Sequence, residues 1–530
     1  MRKRSKHSLS FQRLQSMNMG YLYPTGVVEV LPGDSMRFGQ SAFCRFSPLV
    51  NPVMAKIDIM LYRFYVPYRI VDSNFETVIT GGMQNDTSLI TPQINLSSSS
   101  WREGGIFDYM GIGNPGSNTI SINSYAFRAY NMIWNEFFRD QDLMPEAYLD
   151  VDATSDDPSK FGILPVAWEK DYFTVARPWM SKGQAVSIPV SAASGAPVSL
   201  PVSIRSTGYA PTFKANETLT APQYSSGTIY ASRYQHDSGA VSNAKTPLSF
   251  SFSKSTPSSN EAVLEGSLFW DKPQLTGTAT GSLSGTTGYI SPEDLRLAMS
   301  LQRFGENRAR FGSRYSEYLR MLGVRPQDQR LDLPEYLGGG LSTMQLSEVI
   351  QTSQGTADSP LGALAGHGVG VARSRRTRHF FPEHGIVLFL AALRPKALYT
   401  NSIPREFLRK SRFDFWQPEL QHLGQQEITN QELNASNNNP SQVFGYSDRY
   451  NEYRYKQSQV CGEFRTLLSD WHLGRVLPNN TTLNGDFIRC QPRNDIFAVT
   501  DPNYDKVYCS FSHSIQARRL ITPKASPSLR

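Results

Sequence analysis

The 530-residue sequence has few cysteines, no membrane-length apolar run and no secretory signal. Its four cysteines, Cys44, Cys461, Cys490 and Cys509, are scattered and form no CxxC pair. This excludes a disulfide framework and argues against a zinc site built from cysteine pairs, and it suits a reducing compartment. The longest apolar run is IVLFLAAL (386–393), which is typical of a buried strand and far too short to span a membrane. The basic start, MRKRSKHSLSFQ, lacks the apolar segment of a signal peptide.

Enzyme motifs are also missing. There is no GxSxG nucleophile elbow and no GxxxxGK[ST] phosphate loop. The glycine-rich GHGVGV (366–371) has no βαβ unit around it and is interpreted as a loop. His379, Glu383 and His384 form HxxxEH, but Pro382 prevents the helix that would align them as metal ligands. The sequence therefore predicts no catalytic residues, no metal site and no cofactor.

Positive charge is concentrated near the two ends of the chain. The net charge is +7. Residues 1–13 hold five cations and no acid, and residues 514–530 hold four, so the remainder nets 7 − 9 = −2. The nine cations are Arg2, Lys3, Arg4, Lys6, Arg13, Arg518, Arg519, Lys524 and Arg530. Basic tails often bind nucleic acid, and a solvated disordered end is the open alternative.

A second basic cluster lies in VARSRRTRHFF. It comprises Arg373, Arg375, Arg376 and Arg378. DNA contact is one interpretation, and a loop paired with acids across an interface is the other. Neither cluster has the character of a base-specific reader, which needs fixed contacts to base edges.

The pattern of apolar residues predicts a β-rich chain with a few helices and very long loops. AKIDIMLYRFYVPYRI (55–70) is apolar on both alternating faces, which predicts a strand buried on both sides. Residues 191–290 carry only 11 charged residues and are rich in Ser, Thr and Gly. We interpret them as a large polar insertion, with a disordered linker as the alternative. Strands recur on both sides of it, so distant pieces are expected to build one β-scaffold.

The aromatic stretch RAYNMIWNEFFRDQDL (128–143) belongs either to an active site or to a structural wall. Its apolar residues fall at i, i+3, i+4, i+7 and i+8, the spacing of a helix with one buried face. These residues are Tyr130, Ile133, Trp134, Phe137 and Phe138. A core position is the expectation, and a platform for stacking bases is the alternative. Asp140 and Asp142 are expected at a solvated helix end.

Several stretches together resemble one family. They are FCRFSPLVNPVMAKIDIMLYRFYVPYRIV (43–71), RAYNMIWNEFFRDQDL (128–143), DYFTVARPWMSKGQAV (171–186), EDLRLAMSLQRFGENRARFGSRYSEYLRMLGV (293–324), PEYLGGG, EVIQTSQGTADSPLGALAGHG and FPEHGIVL. In this order they resemble the major capsid proteins of the Microviridae, small single-stranded DNA bacteriophages, within the gokushovirus-like branch. The match covers about residues 1–415 and becomes fainter beyond them. Residues 191–290 do not match, although the branch is expected to carry a large insertion here.

The resemblance implies a mainly β fold, a single eight-stranded antiparallel jelly roll of the viral capsid type. It predicts a basic N-terminal arm (1–20), a first jelly-roll part (21–190), a surface insertion (191–290), and a second part with a basic tail (291–530). The implied function is a structural capsid protein of the virion, assembled in the bacterial cytoplasm into a T=1 shell around a circular single-stranded DNA genome. The insertion is then expected to form threefold protrusions used in host attachment.

The resemblance also implies partners. These are further copies of the chain in a 60-copy shell with twofold, threefold and fivefold contacts, the single-stranded DNA genome, a small basic DNA-binding protein, a scaffolding protein, a pilot protein and a host surface receptor; no membrane span is expected. Basic residues of the arm (Arg2, Lys3, Arg4, Lys6, Arg13) and of the second cluster become candidate DNA contacts, although the arm could instead hold neighbouring subunits. Five such contacts would give a salt slope of about −3.5.

Two alternatives come from other functional classes. One is a carbohydrate-binding or hydrolytic β-domain protein, since jelly rolls host such activities too. The other is a free single-stranded DNA-binding protein. The first would act as a small oligomer, and the second would bind DNA as an isolated subunit.

Overall fold

A computed structural model describes most of the chain. The described residues are 4–80, 89–182, 213–215, 251–252, 262–263, 268–270, 292–311, 333–352 and 361–522. The chain divides into two compact units, residues 1–186 with 298–530, and residues 187–297. Most of the predicted insertion (191–290) lies outside the described residues, so its role as a surface protrusion stays a prediction.

Twenty-one strands and six α-helices are described. The strands are β1 (Ser5–Ser8), β2 (Phe11–Met17), β3 (Tyr21–Val30), β4 (Ser35–Phe46), β5 (Ile57–Pro67), β6 (Gln93–Leu96), β7 (Ile120–Asn123), β8 (Ser155–Asp156), β9 (Leu164–Pro165), β10 (Phe213–Ala215), β11 (Ser251–Phe252), β12 (Ala262–Val263), β13 (Leu268–Trp270), β14 (Glu335–Thr343), β15 (Gln345–Ile350), β16 (Leu364–Arg373), β17 (Thr377–Phe380), β18 (Gly385–Pro395), β19 (Gln425–Thr429), β20 (Val443–Asp448) and β21 (Val507–Arg519). The α-helices are α1 (Phe75–Thr80), α2 (Ile106–Met110), α3 (Tyr125–Ile133), α4 (Pro292–Phe311), α5 (Asn430–Leu433) and α6 (Gly485–Ile488).

Eight of these strands form a jelly roll of two antiparallel sheets. One sheet has the order β2-β21-β4-β16, and the other has the order β3-β18-β5-β14. Counted along the chain, the first sheet takes strands one, eight, three and six, and the second takes two, seven, four and five. This is the strand order of two interlocked Greek keys, and it confirms the predicted eight-stranded jelly roll.

The first sheet contains the strands nearest both chain ends, and we call it the terminal sheet. It is extended by β1 beside β21, by β17 beside β4 and by β15 beside β16. Its alternate side chains, including Phe38, pack into the sandwich core against Phe381 and Phe389. The other alternate side chains therefore point away from that core.

The second sheet is covered on its far side by loop segments, and we call it the covered sheet. β18 and β5 are buried on both faces, as predicted for β5. Ile59 and Leu61 face the sandwich core, whereas Met60 and Phe64 belong to the cluster that contains α3. Both faces of β5 are apolar because each of them meets a hydrophobic layer.

The helix predicted in RAYNMIWNEFFRDQDL is part of this covering layer. Tyr130, Ile133 and Trp134 are buried. The Tyr130 hydroxyl donates to the Leu22 carbonyl at 2.7 Å, and Trp134 Nε1 donates to the Pro165 carbonyl at 2.6 Å. The stretch therefore forms part of a wall.

The last two positions of the predicted stripe behave differently. After Ile133 the helix continues as a π-helical turn, Trp134–Phe138. Wider winding rotates the side chains away from the α-helical stripe. Phe138 is partly buried and packs on Tyr62 with centroids 5.1 Å apart, whereas Phe137 is 46% exposed and touches Phe64 at the rim of the cluster.

Two long connections carry the remaining elements. One joins β5 to β14 and holds α1 to α4, and the other joins β18 to β21 and holds α5 and α6. Of the family-like stretch 293–324, residues up to Phe311 belong to α4, and residues 312–324 lie outside the described residues. Among the described helices, none combines the length and the apolar character that a bilayer crossing requires.

Candidate nucleic-acid interface

The terminal sheet is strongly basic. Its seven strands contain eight cations and one acid, Glu348. The cations are Lys6, Arg13, Arg37, Arg45, Arg373, Arg378, Arg518 and Arg519. The covered sheet, by comparison, has two cations, Arg63 and Arg394, against the three acids Glu29, Asp58 and Glu335. Positive charge is therefore a property of one sheet of the sandwich.

Strand pairing places most of these cations in rows on the outward side. Arg518 lies between Lys6 on one neighbouring strand and Ser35 on the other. In the next row, Arg37 is flanked by Gln516 and Arg378. Adjacent residues such as Met36 and Phe38 are fully buried, so the alternation of the strand aims the cations outward. We call this outward side of the terminal sheet the basic face.

No carboxylate of the described residues lies within ion-pair distance of the outward cations. Arg518, Arg37, Arg45 and Lys6 have no acidic partner there, and Arg378 donates from Nε only to the Ser35 hydroxyl at 3.2 Å. Arg519, at the end of β21, is different because it pairs with Asp34. Uncompensated cations on one surface create a positive potential that attracts polyanions.

Exposed aromatic and apolar side chains border the cations. Phe43 and Tyr508 are both more than 40% exposed on the outward side of β4 and β21, beside Arg45. The Arg45 guanidinium lies 6.0 Å from the Phe43 ring centroid. At the other end of the sheet, Arg4 lies 5.3 Å from the ring of Phe380. Cations interleaved with aromatic rings are typical of surfaces that bind single-stranded nucleic acid.

The fold brings residues of both predicted basic clusters to this one face. Lys6 is on β1, Arg373 on β16 and Arg378 on β17, while Arg375 and Arg376 lie in the exposed connection between the last two strands. Arg4 precedes β1 and is exposed. Arg2 and Lys3 lie outside the described residues. Contact of any of these side chains with DNA stays a prediction.

Arg13 is the exception among the predicted basic residues. It sits on β2 with the parity opposite to Gln12 and Leu14, so its side chain turns away from the basic face. Its Nη1 donates to the Tyr109 carbonyl at 2.6 Å. Burial lowers the pKa of the guanidinium, and Asp108 partly opposes this. Arg13 holds the sheet against α2.

The end segments are ordered as strands over most of their described length. Residues 5–8 and 11–17 pair with β21, with Ser5 opposite Arg519. A solvated tail was the open alternative for both ends, and it does not describe these residues. The alternation in FQRLQSM and in VYCSFSHSIQARR was the available sequence signal. Lys524 and Arg530 lie outside the described residues.

Sequence reasoning missed Arg37 and Arg45. Both alternate with buried residues in SMRFGQSAFCRF, a strand without any acid. Both residues were overlooked because charges were counted by position along the chain, and these two lie outside the basic end segments. Counting charges by strand and by parity would have found them.

The carboxylates after α3 do not form a solvated helix end, contrary to the expectation. Asp140 is 8% exposed and accepts from Lys170 at 2.8 Å and from Arg177 at 2.9 Å. Burial alone would raise the pKa of Asp140, but these two cations lower it to about 2. Asp142 pairs with Lys182 at 2.6 Å. The connection after the helix folds back over the carboxylates, so they are fixed as structural ion pairs.

The HxxxEH residues are not assembled as a site. His379 lies 3.3 Å from Glu335, whereas Glu383 pairs with Arg69 at 2.7 Å. Within the described ranges, no group of three His, Cys, Asp or Glu side chains is arranged to hold a metal ion.

His513, on β21, is predicted to make the fold sensitive to acid. Its ring is 2% exposed and stacks on Phe11 at 4.5 Å, and its Nε2 donates to the Thr25 carbonyl at 3.0 Å. Burial, helped by the charges of Arg13 and Arg63, lowers its pKa to about 4. In the unfolded chain the pKa of this histidine is near 6.5, so the unfolded state binds the proton at a higher pH than the folded state does. The free energy of unfolding should therefore fall by about 3 kcal/mol as the pH drops from about 6.5 to 4.

Thermal unfolding between pH 4 and pH 7 checks this prediction. His513→Gln keeps an N–H group for Thr25 but does not titrate, so its unfolding temperature should vary less with pH. His422→Gln is the matched control because His422 is exposed. Equal acid sensitivity in His513→Gln and wild type would assign the effect to other groups.

Comparisons with known proteins agree with the resemblance found in the sequence. A family model described as "Capsid protein (F protein)" matches residues 1–529. The capsid protein VP1 of Bdellovibrio phage phiMH2K is 33% identical over 96% of this chain and 92% of its own length. VP1 of Chlamydia phage 1 is 30% identical over 100% of this chain and 96% of its own. VP1 of Spiroplasma virus 4 is 27% identical over 99% and 95%.

Proposed function

Since the chain belongs to the phage capsid protein (F protein) family and is a structural protein of the virion, we propose that sixty copies form a T=1 icosahedral shell around a circular single-stranded DNA genome, with the basic face turned toward the DNA. The observation that carries the proposal is the concentration of unpaired cations on one side of a jelly roll. A closed shell has one surface that meets the genome, and a subunit with one basic side fits that arrangement.

The chemistry of the basic face favours single-stranded DNA without sequence preference. The cations Lys6, Arg37, Arg378 and Arg518 offer charge to phosphates, and phosphate contacts carry no sequence information. Phe43 and Tyr508 offer exposed rings on which unpaired bases of any kind can stack. Each subunit would bind weakly by itself, and the shell would bind strongly through the number of faces.

Electron microscopy of particles purified from infected or co-expressing cells tests the proposal. Uniform closed shells of T=1 size, with the terminal sheet toward the lumen, are the expected result. Closed shells with the basic face outward would contradict the DNA-facing role while keeping the capsid role. Small oligomers only, despite the full set of phage proteins, would favour the carbohydrate-binding or free DNA-binding alternatives.

The insertion is proposed to form threefold protrusions that contact the host surface. Its support is the low charge and the Ser, Thr and Gly content of residues 191–290. Deleting residues 195–288 should leave shells intact and strongly reduce adsorption to host cells, because the two flanking parts of the chain supply the jelly-roll strands. Particle yield and adsorption are the two measurements. Failure to form shells would show that the insertion serves assembly instead.

The partner proteins implied by the resemblance stay proposals. We propose that assembly uses a scaffolding protein and that the virion carries a pilot protein and a small basic DNA-binding protein. With Arg13 turned inward and residues 5–17 paired to β21, the first twenty residues are less free to hold a neighbouring subunit than an unpaired arm would be.

A further inference from the structure

We propose that a pocket in the middle of the basic face binds one phosphate group of the single-stranded DNA backbone at a fixed place in every subunit. This inference rests on the proposed function, because it takes the basic face to meet the genome. The pocket has a volume of about 550 Å³. Its rim and floor include Arg373, Arg376, Ser41, Ser512 and Ser514, and we call it the serine pocket.

The serine pocket exists because the sheet is interrupted on both sides of the central pair β4 and β21. The two interruptions lie at the same level along these strands. On one side, β1 ends at Ser8 and β2 begins at Phe11; on the other, β16 ends at Arg373 and β17 begins at Thr377. At this level the two central strands present only Gly39 opposite Ser514. A row that would otherwise carry large side chains is left open.

The serine hydroxyls supply hydrogen-bond donors that the protein does not use itself. The side-chain hydroxyls of Ser41, Ser512 and Ser514 have no hydrogen-bond partner among the described residues. Ser374 differs, because its hydroxyl accepts from the Gln40 amide at 2.9 Å and donates to the Gln40 carbonyl at 3.0 Å. These two hydrogen bonds hold the connection between β16 and β17, which positions Arg373 and Arg376, against β4. Two guanidiniums at the rim and three free hydroxyls below them match the acceptor oxygens of a phosphate.

A buried cation lies beneath the same connection. Arg63, on β5, is fully buried, and its Nη2 donates to the Arg375 carbonyl at 2.8 Å. Its Nε and Nη1 have no partner in the described part of the chain. This bond fixes the connection that carries Arg375 and Arg376 from the core side of the terminal sheet; Arg63 itself does not line the serine pocket.

The position of the pocket favours a DNA phosphate over a free anion. The Arg37 and Arg378 row lies on one side of it along the strands, and Phe43 and Tyr508 lie on the other. A strand of DNA that runs from the cations to the aromatic rings crosses the pocket. Its backbone would be held at the pocket while its bases reach the rings.

Substitution of the free hydroxyls tests the proposal in the full-length protein. Ser512→Ala with Ser514→Ala removes two donors and no charge. The affinity for a fluorescent oligothymidylate should fall by about three- to ten-fold, with an unchanged salt slope because the number of charges is unchanged. Ser347→Ala with Ser510→Ala, two serines on the same face outside the pocket, should leave the affinity unchanged.

Inorganic phosphate separates the two sources of the anion. At equal ionic strength, phosphate should displace the oligonucleotide from wild type and from the Ser347→Ala, Ser510→Ala control more strongly than chloride does. In the Ser512→Ala, Ser514→Ala variant, phosphate should compete no more strongly than chloride. If phosphate binds wild type but the serine variant keeps its DNA affinity, the pocket takes free phosphate and the DNA assignment is overturned.

A second pair of variants changes only the floor. A Cβ at Gly39 would meet Arg376 Cγ at 3.4 Å and Ser514 Cβ at 3.8 Å, so a small side chain fits there. Gly39→Asp should weaken oligonucleotide binding at least ten-fold more than the isosteric Gly39→Asn, because the carboxylate repels phosphate. If both variants bound the oligonucleotide equally well and with the wild-type salt slope, the assignment of phosphate binding to the pocket would be wrong. DNA binding by the basic face would still be supported. If wild type itself showed no salt-dependent binding of the oligonucleotide, the proposed function would be overturned instead.

Discussion

Replacing Lys6, Arg37, Arg378 and Arg518 together by glutamine is expected to weaken binding of oligothymidylate about 200-fold at physiological salt. Each cation that neutralises a phosphate on single-stranded DNA releases about 0.7 counterions, which corresponds to about four-fold in affinity at 0.15 M salt. Four such contacts multiply to about 200-fold. The salt slope of the logarithm of affinity should become shallower by about 2.8.

Fluorescence anisotropy over a series of salt concentrations measures both quantities on the full-length subunit. The matched control replaces Arg102, Lys160, Lys396 and Lys410 by glutamine, which changes the net charge equally at exposed positions outside the terminal sheet. The control should keep the wild-type slope to within experimental error. If both variants lose the same affinity, net charge alone would govern binding and the basic face would have no special role.

In particles, the same variant should assemble but package less DNA. The four side chains are exposed on the outward side of their strands and contribute little to the sandwich core. Empty shells of normal size would therefore separate genome binding from assembly. Loss of shells would instead place these residues in subunit contacts.

Local patterns were sufficient to predict several elements of the fold. The two-sided apolar pattern of β5 and the apolar run of β18 identified buried strands. The stripe from Tyr130 to Trp134 identified a helix packed on a hydrophobic layer. Each of these signals depends on neighbours within about ten residues, which a single sequence displays directly.

Long-range pairing could not be read in the same way. Ser5 pairs with Arg519, and Cys44 pairs with Cys509, across nearly the whole chain. Alternation shows that a segment is a strand and which parity is buried, but not which distant strand lies beside it. The basic face could therefore not be recognised as a surface, and one of its strands was itself misread, because GHGVGV (366–371), interpreted as a loop, lies within β16.

Exceptions at single residues have local physical causes. Phe137 leaves the predicted stripe because the helix widens into a π-turn. Asp140 is buried because Lys170 and Arg177, from a later segment, neutralise it. Neither the change in winding nor a partner about 30 residues away follows from a periodic pattern.

Asp156→Ala is expected to lower the free energy of unfolding by about 3–5 kcal/mol, because it leaves a buried charge without its partner. Arg128, the first residue of the aromatic stretch, is fully buried, and its Nε donates to Asp156 at 2.7 Å. Its other nitrogens donate to the Val71 carbonyl at 2.9 Å and the Ala153 carbonyl at 2.6 Å. Removing the carboxylate cancels the charge pairing while the guanidinium stays enclosed.

The guanidinium chloride midpoint of purified subunits, followed by tryptophan fluorescence, measures this loss. Trp134 and Trp168 belong to the same hydrophobic cluster as the residues around Arg128 and report on its unfolding. Glu103→Ala is the matched control, since it also removes one carboxylate but at an exposed position. Its midpoint should stay close to wild type. An Asp156→Ala midpoint as high as that control would mean that water or a shifted backbone carbonyl solvates Arg128, so that α3 is anchored by its apolar stripe alone.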